Sequence, residues 1–222
     1  MDGGAQRIAS LGRSPLRLEI AEKSPFITYA MYEVLRSHIA KRIDLTEAEF
    51  KRCTSFFVPK KLRRKQFLLQ EGEVARYNAF VEKGCLRAYS IDDEGEEHIV
   101  QFAIEDWWIG DMYSMLENQP SNLNIEAMED SELLLIDKAS YERLCDAVPK
   151  FERFFRLLLQ ANYVASHRRI MQSISASAEE RYLKFLKSYP AITSRVPQGQ
   201  IASYLGITPQ SLSRIRRHLA RK

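Results

Sequence analysis

Cysteine is scarce, with three residues in 222. Cys53, Cys85 and Cys145 lie far apart with no Cys-x-x-Cys pair. That spacing excludes a disulfide framework and a four-cysteine iron–sulfur site, and it fits a reducing, cytoplasmic setting. Histidine is scarcer than chance clustering would need. His38, His98, His167 and His218 sit on separate segments without a His-x-His pair, so no metal site is expected and a β-barrel metalloenzyme is a poor reading. No apolar run approaches the ~20 residues that cross a bilayer. No signal-peptide core opens the chain, because Gly, Arg, Ser and Pro interrupt residues 1–24. Neither a nucleophile–base pair nor a phosphate loop is present, so no catalytic residue and no cofactor are expected.

Against these absences stands an excess of positive charge at one end. From Ser177 to Lys222 there are nine Lys/Arg and two acids, a net of +7, while the whole chain is +4, leaving about −3 for the remainder. A basic segment on a mildly acidic body is the expected footprint of a nucleic-acid-binding domain beside a separate partner domain. Pattern sharpens the point. Pro197 suits a first helical turn, Ile201 and Leu205 share a face, and Gly206 can stop the helix in the left-handed conformation. Thr208 is then an N-cap with Pro209 at the first helical position. In the second helix Leu212, Ile215 and Leu219 make the inner stripe, and Gln210, Arg214, Arg217 and Arg221 the outer one. The spacing predicts a helix-turn-helix directed at double-stranded DNA. The competing reading is a terminal helix with a solvated charge run, or an interaction module that has lost DNA.

Upstream, residues 1–30 are expected to be a poorly structured extension, broken by Gly3-Gly4, Ser14-Pro15 and Ser24-Pro25. Helical periodicity runs from Met31 to Phe57, and Thr46 to Glu49 reads as a capping box. Between Lys61 and Asp137 the period changes. Gln66–Gln70, Ala79–Glu82, Cys85–Ile91, His98–Phe102 and Ser131–Asp137 are short and rich in β-formers, divided by Glu71-Gly72, Lys83-Gly84 and Asp92–Gly95, the last read as a hairpin tip. Such strands predict a sandwich or barrel. Phe151 to Ser173 then reads as one long helix. Its apolar stripe is expected to cover the strand domain on one side and to pair with a second copy on the other, a short dimer seam through Phe154, Leu158, Ala161 and Ala165, the alternative being a purely intrachain core helix. Ser177 to Glu180 is a second capping box, so the division expected is 1–30, 31–150, 151–176 and 177–222.

Strands with glycine turns, a long helix and a terminal helix-turn-helix resemble, in this order, the Crp/Fnr superfamily of bacterial transcription regulators. Phe80–Arg87, Trp108–Asp111, Glu126–Asp137 and Gln200–Leu219 carry the likeness. The resemblance implies an α+β chain: an antiparallel cyclic-nucleotide-binding-like β-roll (a double-stranded β-helix), a dimerising helix and a winged helix-turn-helix. Such homodimers read two-fold-related half-sites about one helical turn apart. In members that bind cyclic AMP, a glycine–glutamate pair meets the ribose and a later arginine–serine pair holds the phosphate. Here Gly110 matches the glycine, Asp111 stands for the glutamate, and Ser121-Asn122 fall at the arginine–serine pair. No Lys or Arg lies between Arg87 and Lys138. A partly buried phosphodiester without a charged partner costs several kcal/mol, so cyclic AMP in the usual geometry is not expected and a different small-molecule effector stays open. Trp107, Trp108, Tyr113 and Met115 are expected to narrow the pocket. Gln210, Ser211 and Arg214 match positions that touch DNA in the family. Arg214 is expected to take guanine O6/N7 and Gln210 an adjacent base, with Ser211, Arg217, Gln200 and Ser203 on phosphates. Pro209 replaces a frequent base-contacting side chain, so the family's consensus operator is not assumed.

Overall fold

A computed structural model describes residues 31–221; the expectation for residues 1–30 lies outside the described residues. Two helices come first among the described residues, α1 (Glu33–Ala40) and α2 (Glu47–Thr54), and the Thr46/Glu49 capping box starts α2 as its spacing predicts. Eight strands follow: β1 (Val58–Leu62), β2 (Phe67–Leu69), β3 (Tyr77–Lys83), β4 (Leu86–Ile91), β5 (Glu97–Ala103), β6 (Trp108–Ile109), β7 (Asn124–Ala127) and β8 (Ser131–Asp137). A short helix, α3 (Met112–Glu117), lies between β6 and β7.

The strands form two antiparallel four-stranded sheets, ordered β1-β8-β3-β6 and β2-β7-β4-β5. Alternation puts Leu86 and Ala88 inside and Arg87 and Tyr89 outside, as the period-2 pattern of β4 requires. Between the sheets lie Leu62, Leu69, Val81, Leu86, Ile109, Ile125, Leu133 and Leu135 with five alanines, and the small residues let the sheets close on each other. Gly84 turns β3 into β4 with φ +110°; a Cβ there would collide with the Ser131 side chain. The Asp92–Gly95 segment is a hairpin tip, where Asp92 accepts from the Glu94 and Glu96 amides at 3.0 and 2.9 Å and pairs with His98 at 2.6 Å.

After α4 (Lys138–Ala147) comes α5 (Lys150–Ser175), the long helix. Phe151, Phe154, Phe155 and Leu158 are buried, and Phe155 meets Trp108 edge-on. From residue 159 to 171 every side chain of α5 is exposed. The C-terminal part is helical throughout: α6 (Ala178–Ser188), started by the Ser177/Glu180 capping box, then α7 (Pro190–Thr193), α8 (Gln198–Tyr204) and α9 (Pro209–Leu219). No strand follows β8 among the described residues, so the wing expected beside the helix-turn-helix is not among them. No described helix is long and apolar enough to cross a membrane.

Candidate nucleic-acid interface

Gly206 takes φ +65° and stops α8, and Thr208 caps α9 by accepting from the Ser211 amide at 3.2 Å, with Pro209 at the first position. Leu212 is buried against Ile201 and Ala202 of α8, and Ile215 and Leu219 pack at the edge of the same cluster. With that stripe turned inward, Gln210, Arg214, Arg217 and Arg221 stand in solvent on the opposite side. Arg214 donates to Ser211 Oγ at 3.2 Å, which orders a guanidinium that is otherwise free to reach outward. Among the described residues this is an exposed basic stripe on a rigid, capped helix.

The two residues expected on the preceding helix behave differently. Gln200 is half-buried, with Oε1 lacking a partner. Ser203 points away from the α9 contact toward the β-roll: its hydroxyl donates to Glu97 O at 2.8 Å and accepts from the Ile99 amide at 2.9 Å. Strand β5 is the edge of its sheet, and Ser203 fills its open backbone positions. In this arrangement Ser203 is a domain contact and is not presented to a ligand.

Three side chains that sequence reasoning missed complete that domain contact. Arg195, just before α8, donates to both Glu105 oxygens at 2.7 and 3.1 Å and also pairs with Glu129. These hydrogen bonds raise its pKa further, so it stays charged. Tyr204 meets Phe102 at 5.4 Å and Phe185 at 5.5 Å, and Arg169 of α5 stacks on it at 5.0 Å while donating to Val100 O. Arg195 and its carboxylates are 90 and 66 residues apart in sequence, so no local pattern could have found them.

Around Gly110 the polar groups of the expected effector pocket bond to one another. Asp111 Oδ1 accepts from the Ser114 amide at 3.0 Å, capping α3, and Oδ2 accepts from the Ser121 hydroxyl at 2.7 Å. Asp111 and Ser121 are both buried, so the structure brings Gly110, Asp111 and Ser121 together, while Asn122 is exposed and outside the group. The aromatic expectation needs correction. Trp108 faces the other way, into Phe57, Phe80 and Phe155, and Tyr113 is exposed. Trp107 and Met115 pack on the roll interior. The expected seam on α5 divides into a buried half and an exposed half. Phe154 and Leu158 are 1% and 8% exposed inside this one chain, where they fill its core. Ala161 and Ala165 are exposed on that same side of the helix, in line with Arg169, which reaches the roll.

A two-sheet roll, a long helix with one bare end and a capped helix-turn-helix follow one another along the described residues. Residues 59–148 match the cyclic nucleotide-binding domain family. Over 191 residues the chain is 24% identical to the regulatory protein HlyX of Actinobacillus pleuropneumoniae, covering 81% of this chain and 79% of that protein. It is also 24% identical, over 183 residues, to the fumarate and nitrate reduction regulatory protein of Vibrio cholerae, covering 77% and 72%. Among solved structures, FixK2 from Bradyrhizobium japonicum shares the fold with a TM-score of 0.61 at 20% identity, covering 74% and 85%. Together these likenesses support a Crp/Fnr-type transcription regulator.

Proposed function

We propose that this chain reads double-stranded DNA as a two-fold homodimer, with α9 entering the major groove. The observation that carries the reading is the outward stripe of Gln210, Arg214, Arg217 and Arg221 on a helix whose other face is packed. Arg214 is assigned the bidentate guanine contact and Gln210 a neighbouring base; Ser211, Arg217 and Arg221 position the helix on phosphates.

The dimer is assigned to a face of α5 different from the one the sequence favours. Leu159, Tyr163, Ile170 and Ile174 recur at i, i+4, i+11 and i+15, within an arc of about 60° at 3.6 residues per turn. Tyr163 is 71% and Ile174 75% exposed. A bare apolar stripe of this length on a rigid helix fits a second copy of itself. The roll does not take cyclic AMP in the usual way: both oxygens of Asp111 are engaged within the chain, and no Lys or Arg occurs between Arg87 and Lys138 to meet the phosphate. Any effector must act by favouring one placement of the C-terminal helices on the roll over another.

The test is a gel shift with a duplex selected by the wild-type protein from a random pool. Arg214→Ala is expected to weaken binding by about 1–3 kcal/mol and to relax discrimination at one base pair in each half-site. Unchanged selectivity in that variant would remove Arg214 from its role.

A further inference from the structure

A second basic surface lies outside the helix-turn-helix. Lys60, Lys61, Arg63, Arg64 and Lys65 place five positive side chains in six positions along β1 and the turn that follows, and all five are exposed. Lys61 is paired with Glu132 at 2.9 Å. Among the described residues, the side chains of Lys60, Arg63, Arg64 and Lys65 form no hydrogen bond or ion pair.

The turn that carries three of them is firmly held. The Gln66 amide donates to Arg63 O at 3.0 Å, and the Gln66 side chain accepts from the Arg63 amide at 2.7 Å. Asp130 accepts from the Arg64 amide at 2.9 Å, and the Lys65 amide donates to Ala127 O at 2.7 Å. Lys65 itself adopts φ +69°, a conformation that glycine or asparagine would take at lower cost. A lysine kept in such a place points to a use for its charge.

Position supplies the rest. Asp130 follows Glu129, and Glu129 is one of the two carboxylates that hold Arg195, which stands three residues before α8. The basic turn is therefore joined, through the Glu129-Asp130 corner, to the start of the first helix of the helix-turn-helix. In that motif this helix crosses the sugar–phosphate backbone while the second enters the groove.

We infer that the Arg63–Lys65 turn is an auxiliary phosphate-binding surface for the duplex that runs on beyond each half-site. The inference rests on the DNA reading proposed above. Its ligand class is the sequence-independent backbone of double-stranded DNA, and each phosphate it engages adds to affinity and to salt dependence without changing base preference.

The experiment compares two duplexes. One is a sequence selected by the wild-type protein and trimmed to about 22 bp, enough for two half-sites one helical turn apart; the other is the same sequence lengthened by about 10 bp of random duplex at each end. The wild type is expected to bind the longer duplex about tenfold more tightly at low salt. The variant Arg63→Ser/Arg64→Ser/Lys65→Asn should bind both alike, with the salt slope on the long duplex reduced by about 0.9 for each phosphate no longer engaged. Lys65→Asn alone suits the left-handed backbone and should lower that slope by about one, which keeps the test valid if the triple variant folds poorly. A wild type indifferent to length, or a variant weakened equally on both duplexes, overturns the inference. Unchanged binding of both duplexes by the variant also overturns it and points to an acidic protein surface as the partner. Wild-type protein that binds neither duplex defeats the DNA reading itself, a failure distinct from these.

Discussion

Two of the apolar regions among the described residues are built differently. The apolar interior of the roll is aliphatic and small, five alanines among Leu, Ile and Val. The seam between the roll and the C-terminal helices is aromatic, with Tyr89, Phe102, Tyr182 and Phe185, and it is bordered by polar clamps. Ser203 closes the edge of β5, Arg195 spans Glu105 and Glu129, and Arg169 caps Tyr204. A core of close-packed aliphatics has one good arrangement. A seam of flat rings and exchangeable hydrogen bonds can give its partners over to water at modest cost. The roll is thus the more rigid body, and the seam is the part whose arrangement can change at lower cost.

The largest effect should come from breaking the roll. Leu133→Ala, at a site 1% exposed, should cost about 2–5 kcal/mol through reduced burial and the cavity left behind, seen as a lower urea midpoint for the whole chain. A cost below about 1 kcal/mol would mean that the interior is looser than its packing implies. Arg195→Ala should be milder, roughly 1–2 kcal/mol, because its carboxylates are partly exposed and water can replace the guanidinium. Its signature is local: faster amide exchange in α6 to α9 with β3, β4 and β8 unchanged. Equal loss of protection in the roll would erase the distinction between the two regions.

The smallest effect separates them by pH. Glu82 of β3 accepts from the Val34 and Leu35 amides at 3.1 and 2.8 Å and so holds α1 on the roll. Burial pushes its carboxyl up to about 7. Because the folded value lies above the unfolded one, this contribution is complete below about pH 4.5 and is lost as pH rises through about 7. Glu82→Gln should flatten the decline in melting temperature across that window. The Arg195 clamp should not respond there, since its guanidinium keeps its charge. A variant that retains the full decline would place the titration elsewhere.

Much of this was legible in local sequence. Both capping boxes, the Gly206 stop, the Thr208 cap and the inner stripe of α9 are determined within a few residues of themselves, and each appears where its spacing requires. Five strands could be read from β-formers between turns. Strand β1 could not: Val-Pro-Lys-Lys-Leu is an edge sequence held by pairing with β8, which lies far along the chain. The two-residue β6 and the four-residue β7 were hidden for the same reason. On α5, periodicity showed one apolar stripe, yet Phe154 and Leu158 are buried within this chain, while Leu159, Tyr163, Ile170 and Ile174 are left uncovered.

By itself, then, the sequence determined the charge asymmetry, the elements with local start and stop signals, and the helix whose polar side carries Gln210, Arg214, Arg217 and Arg221. Those properties depend on interactions a few residues apart, which order of residues alone specifies. Only the tertiary structure decided which face of α5 is free, that Asp111 is spent on Ser114 and Ser121, that Ser203 faces β5, and that the basic turn at Arg63–Lys65 adjoins the start of α8. Each of these joins groups brought together by the closing of the sheets and the docking of the C-terminal helices. Burial and long-range pairing are properties of that assembled packing, and no window of neighbouring residues contains them.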